Sequence, residues 1–175
     1  MTPWIWLYKT CAKIHRPTTI YYYILYEYEQ KNLINTINDS SQQPKLRTYK
    51  LFKTECRVEP YLEIIQNRKL FTKIARFRTS SHNLRIETGR HHKPIIPAPN
   101  RICDKCTLNN VEDEIHCLIV CPGNDTLRAN LFSIATKYIH NYLSLDDISK
   151  FTELMTNKEP EILHSLGKFL LQADV

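Results

Sequence analysis

Four of the six cysteines lie between Arg101 and Pro122, in the run RICDKCTLNNVEDEIHCLIVCP. Cys103 and Cys106 form the only Cys-x-x-Cys, and His116 and Cys121 complete a C-x₂-C-x₉-H-x₄-C array. Zn²⁺ takes four tetrahedral ligands and prefers thiolate sulfur and imidazole nitrogen. A tight Cys-x-x-Cys turn aims two sulfurs at one centre, and Lys105 within it favours the thiolate form. His116 and Cys121 supply the second pair. Cys117 stands four residues before Cys121, so spacing alone leaves a Cys₄ set open beside the Cys₃His set. Either set closes the coordination sphere, and one structural Zn²⁺ is expected.

The elements that must position these ligands are mostly helical. Val111 to Val120 predicts a short helix, with Glu112, Asp113 and Glu114 in a first turn that suits the helix dipole. Ile115, Leu118 and Ile119 would face the core, and Pro122 ends the helix. Downstream, Leu127, Leu131, Ile134, Ala135 and Tyr138 form one face of a helix starting near Asn124 or Asp125. Ser144-x-x-Asp147 resembles a capping box opening a helix with Ile148, Phe151 and Leu154. Pro160 opens the last, which carries Ile162, Leu163, Leu166, Phe169 and Leu170. These stripes read as core packing.

Upstream, Pro60 suits a first helical position. From Tyr61 to Arg78 the residues Leu62, Ile65, Leu70, Phe71, Ile74 and Phe77 recur at helical spacing, with one slip near Asn67. Thr79, Ser80 and Ser81 offer caps for a short helix through Leu84, Ile86 and Glu87, with Gly89 as its C′ stop. Arg90-His91-His92-Lys93 reads as a basic loop and Pro94 to Pro99 as an extended strap. Ile20 to Tyr28 fits a strand or a mixed helix, and Asn32 to Gln43 reads as a linker. Cys11 and Cys56 read as plain thiols. The expected fold is mainly α: a small helical domain with a zinc-stapled turn and a poorly defined N-terminal segment. It divides into 1–44, a basic helical segment 45–100 and a zinc-binding helical segment 101–175.

Charge follows the same division. The net +6 splits into +1 over residues 1–44, +10 over 45–101 and −5 over 102–175. A basic middle beside an acidic end points to a polyanion-binding segment joined to one with another task. Lys69, Lys73 and Arg76 share one helix face, and with Arg78, Arg85 and Arg90 they are the expected phosphate contacts. With three glycines the chain has no phosphate-cradling loop, and it has no G-x-S-x-G. Asp146-Asp147, its only Asp-Asp, reads as a cap beside a solvated acid, so no enzyme activity is expected. Trp4 to Tyr8 is no signal peptide, and no apolar run approaches the roughly 18–20 residues of a membrane span. An intracellular protein with reduced thiols is expected, without a membrane partner.

The run C-x-x-C, then V-E-D-E-I-H, then C-P, followed by a helix near Asp125-Thr-Leu-Arg, resembles the zinc-binding region after the polymerase domain of non-LTR retrotransposon reverse transcriptases. Phe77 to Arg90, F-R-T-S-S-H-N-L-R-I-E-T-G-R, resembles the segment preceding that site. The resemblance covers roughly Lys45 to the C-terminus. It implies Cys103, Cys106, His116 and Cys121 as ligands, with Cys117 as packing where the family usually has a bulkier residue. It also implies a nucleic-acid partner, RNA above all. A polymerase needs a Tyr-x-Asp-Asp-like carboxylate pair for two metal ions, and none is present. The expectation is therefore a non-catalytic zinc- and nucleic-acid-binding module. The alternatives are a domain that docks a protein partner through its acidic half and a retroelement relic with no selected role.

Overall fold

The computed structural model describes residues 17–39, 44–55 and 57–175. Cys11, Cys56 and the Trp4 to Tyr8 patch lie outside the described residues. The described chain is helical, and its only β pairing is an antiparallel bridge between Ile102 and Val111. Among the described residues no helix is long and apolar enough to cross a membrane.

The first helix, α1, spans Pro17–Asn38. It resolves Ile20 to Tyr28 as helix and overturns the linker expectation from Asn32 through Asn38. Its C-terminal half is anchored by Ile37, which is buried, and by half-buried Leu33 and Ile34. These residues share a face at i, i+1 and i+4, and the apolar stripe outweighs the polar residues between them. Tyr22, Tyr23, Tyr26 and Tyr28 are exposed.

The slip at Asn67 is a break between two helices. Pro60 opens α2, Pro60–Ile64, and α3 runs Arg68–Arg78. Asn67 caps α3: its side-chain oxygen accepts from the backbone N–H groups of Lys69 at 3.0 Å and Leu70 at 3.3 Å. A short α4, Arg85–Thr88, follows. Gly89 ends it with φ −61°, an ordinary helical value rather than the left-handed one a C′ stop uses. What demands glycine there is space, because an added Cβ would sit 2.7 Å from the Arg101 side chain.

The C-terminal half contains α5 (Asp125–Tyr138), α6 (Asp147–Thr156) and α7 (Pro160–Gln172). The cap of α6 is Asp146 and not Ser144. Asp146 Oδ1 accepts from Ile148 N and Ser149 N, both at 3.0 Å, while Ser144 bonds back to Asn141 O. Ile148, placed one residue after the first turn begins, is exposed, and so is Tyr138 at the end of α5. The remaining periodic residues of this half lie in the core or, like Leu127 and Ile134, pack against it, whereas Leu62 of the upstream stripe is exposed on α2. Helix α7 lies against both α3 and α5 and buries Ile162, Leu163, Leu166, Phe169 and Leu170. Burying one such side chain stabilises by about 1.5–3 kcal/mol. Phe52, Leu70, Ile74 and Phe77 from residues 45–100 join the same core as Leu118, Leu131 and Phe151 from residues 101–175.

Candidate metal centre

Two local structures converge on the cysteines. The first is a hairpin held by Cys103 N–H to Asn110 O at 2.9 Å and Glu112 N–H to Arg101 O at 2.9 Å. Asn109 takes the left-handed conformation, φ 54°, that its short polar side chain tolerates. The Cys-x-x-Cys turn sits inside this hairpin.

The second is a helical turn that differs from the α-helix expected over 111–120. Asp113 starts it: its carboxylate accepts from His116 N–H at 2.8 Å, and its carbonyl accepts from Cys117 N–H at 2.9 Å. From His116–Val120 the turn is a π-helix, closed by Cys121 N–H to His116 O at 2.7 Å. Such i to i+5 turns recur at functional sites. Here the wider turn stacks His116 and Cys121, five residues apart, on one side. Pro122 then stops the turn, Arg128 donates to Cys121 O at 2.8 Å, and Asn124 donates to Cys117 O at 3.0 Å. Gly123 is required by proximity, since a Cβ there would meet Lys105 O at 2.5 Å.

The result is a compact group in which one ligand atom from each of Cys103, Cys106, His116 and Cys121 lies within 4.8 Å of every other. Cys103 Sγ is 3.8 Å from Cys121 Sγ, and Cys106 Sγ is 3.4 Å from His116 Nε2. A tetrahedral ion with sulfur at about 2.3 Å and nitrogen at about 2.0 Å has S···S edges near ~3.8 Å and S···N edges near ~3.5 Å. These residues therefore fit a single metal ion. Cys103, His116 and Cys121 are buried and Cys106 is half-buried. Burial pushes the Cys103 thiol up to about 12 and raises Cys121 as well, although Cys103 Sγ receives the Lys105 backbone N–H and Cys121 Sγ that of Gly123. Burial also lowers His116, which keeps its imidazole neutral and ready to ligate. A bound cation replaces the thiol protons directly.

Cys117 is not a member of this group. It is buried in the core beside Leu118 and receives a contact from Asn124 Nδ2 at 3.5 Å. Its thiol is pushed up to about 12 by burial. His91 and His92 also stand apart, exposed on the basic loop.

Beside the metal centre lies a buried polar hub that sequence reasoning missed. Glu114, fully buried, accepts from Arg47 through both oxygens at 2.7 and 2.8 Å, from Ser80 Oγ at 2.7 Å and from His82 Nε2 at 2.8 Å. Leu84 N–H donates to His82 Nδ1 at 3.3 Å, which fixes the ring with its proton on Nε2. Burial alone would raise Glu114, but the His82 bond and the Arg47 charge outweigh it and hold the carboxyl below its ordinary value. Glu112 accepts from Arg85 N–H at 2.9 Å. The three acids expected to serve the helix dipole thus have separate partners. The available signal was the pairing of two motif stretches, Phe77 to Arg90 and Val111 to His116, which the fold brings into contact.

The six expected phosphate contacts do not form one surface. Lys69 and Arg76 are exposed on α3, and with Arg68, Thr72 and half-buried Lys73 they line one depression. Lys73 Nζ donates to Val175 O at 2.6 Å. Arg85 is partly exposed and pairs with Asp104 at 3.2 Å, while Arg90 pairs with Glu87 at 3.1 Å. Arg78 is corrected outright. It is buried, donates to Met155 O and Glu59, and lies 4.4 Å from the Phe52 ring centre, because it follows Ile74 by one helical turn and shares its inward face. Comparison of the chain with family models, curated proteins and solved structures finds no match.

Proposed function

We propose that this chain is a non-catalytic module that binds nucleic acid, RNA in particular, around a structural Zn²⁺. It would correspond to the C-terminal region of a non-LTR retrotransposon reverse transcriptase. The four-ligand Cys₃His set supports zinc, because thiolate and imidazole are its preferred donors and a closed set leaves no position for substrate. The motifs from Phe77 to Arg90 and from Cys103 to Pro122 support the kinship. The observation that carries nucleic-acid binding is the depression between α3 and α7. Arg68, Lys69, Lys73 and Arg76 line its wall, Thr72 and Leu171 complete it, and Lys73 is paired with Asp174 at 3.6 Å. Cations so grouped neutralise phosphates and release counterions.

The test is a salt titration of binding to a single-stranded RNA oligonucleotide. Neutralising Lys69, Lys73 and Arg76 together is expected to weaken binding and to flatten the log–log salt slope by about 2. Unchanged binding, or none by the native chain at low salt, would overturn the proposal. Metal analysis tests the zinc: His116→Ala is expected to lose it and Cys117→Ala to retain it.

A further inference from the structure

A second cavity, of about 130 Å³, is lined by Arg85, Thr88, Gly89, His92, Ile96 and Arg101. At about 30 Å³ per water it has room for a few waters or one tetrahedral oxyanion. Its wall is fixed. Ile96 N–H donates to Gly89 O at 3.1 Å, and Arg101 donates through Nε to Ile96 O at 2.8 Å and through Nη1 to Ile86 O at 2.6 Å. Arg101 is 7% exposed. Both of those bonds go to neutral carbonyls, and no ion pair among the described residues includes Arg101. Glu87, on the same short helix, is engaged by Arg47 at 2.5 Å and Arg90 at 3.1 Å.

A buried guanidinium with no carboxylate bonded to it is costly, and the Glu87 charge that acts on Arg101 is already shared by Arg47 and Arg90. Around it the cavity offers a second guanidinium from Arg85, the Thr88 hydroxyl and the His92 ring. His92 Nδ1 donates to Pro94 O at 2.9 Å, so on a neutral ring Nε2 is an acceptor and His92 lines the wall rather than donating to an anion. Gly89 keeps the site open, because any Cβ would push into the Arg101 stem. We propose that this cavity is a phosphate-binding pocket in which Arg101 is the buried anchor and Arg85 and Thr88 complete the donor set, with His92 on its wall. The pocket stands on its own geometry; only its occupation by a backbone phosphate rests on the function proposed above. Arg101 then sets the position and Arg85, more exposed and shared with Asp104, sets the approach.

The experiment uses the zinc-loaded full chain. Inorganic phosphate is titrated by calorimetry and by the His92 ring resonances, and a single-stranded RNA oligonucleotide is titrated separately. Arg101→Met and Arg85→Gln are compared, with zinc content and melting temperature recorded. Saturable phosphate binding that shifts His92, weakened about tenfold in either variant, is the expected result. Arg85→Gln keeps the test decisive if Arg101→Met unfolds. RNA affinity falling in parallel identifies the ligand as a backbone phosphate, whereas unchanged RNA affinity identifies a free phosphate. Phosphate binding without any RNA binding sustains the pocket and rejects the nucleic-acid module. No saturable phosphate binding, or binding indifferent to both substitutions, overturns the pocket whether or not RNA binds.

Discussion

From Arg101 to Asn124 the backbone is held by directional contacts. Asp113 caps a turn, Arg128 bonds the Cys121 carbonyl and Asn124 that of Cys117, Glu114 ties in Arg47, Ser80 and His82, and four ligand atoms gather at one point. From Asp125 to Ala173 the chain is held by apolar area: Leu131, Phe151, Leu154, Ile162, Leu166 and Leu170 are almost completely buried. The first region depends on a few contacts whose geometry must be right together. The second spreads its stability over many side chains, each replaceable by another of similar volume. They should therefore fail differently.

Removing the metal is the strongest way to separate them. Chelation removes a contribution that reaches about 10 kcal/mol or more in small zinc domains. Amides of the 101–121 hairpin and π turn are expected to lose hydrogen-exchange protection first, while α5 and α7 keep theirs longer. Simultaneous loss in both regions would mean that they form one cooperative unit.

Glu114→Ala comes next. It strands Arg47 and His82, at an expected cost of about 3–5 kcal/mol in chemical denaturation. This contribution also depends on pH. The folded-state pKa of Glu114 is depressed, so its stabilisation is present above the ordinary carboxylate value and is lost as pH falls through the folded one. The gap between native chain and Glu114→Ala is therefore expected to close on acidification. A gap that widens would show that the carboxylate is not the stabilising form.

Leu166→Ala, at the fully buried face of α7, is expected to cost about 3 kcal/mol with metal-binding capacity unchanged. Metal loss in this variant would erase the distinction between the regions. The smallest effect belongs to Asp146→Ala. Losing the α6 cap is expected to cost about 1 kcal/mol, read as a small drop in melting temperature, with the metal untouched.

The same difference governs what the sequence discloses. Apolar periodicity located α5, α6 and α7, and Pro60 and Pro160 marked two helix starts, because area burial leaves a repeating trace along the chain. Cys103, Cys106 and Cys121 were equally legible, since metal chemistry restricts both residue type and spacing, whereas spacing alone left His116 and Cys117 open as the remaining ligand. The hub was not. Its bonds join Arg47 to Glu114 and Ser80 to Glu114 across 67 and 34 positions, and no local pattern encodes such pairs. Arg78 lay between: its spacing from Leu70 and Ile74 places it inward, but its charge suggested a surface role. The cap of α6 was misplaced by two residues because Ser144 and Asp146 both suit that role chemically.

The π turn carries a further consequence, for insertions and deletions. Its five-residue reach from His116 to Cys121 works as a length gauge between two ligands. Deleting one residue among Cys117 to Val120 would permit a regular α turn, in which the two ligands, then four apart, still share a face, but it would shift the buried Cys117, Leu118 and Ile119 relative to both. The exposed tip at Thr107 to Asn109 has no such gauge, and length variation there would alter only a surface loop. Tolerance to changes in length should thus alternate sharply within some fifteen residues, and a tiled deletion library scored by metal retention would map it.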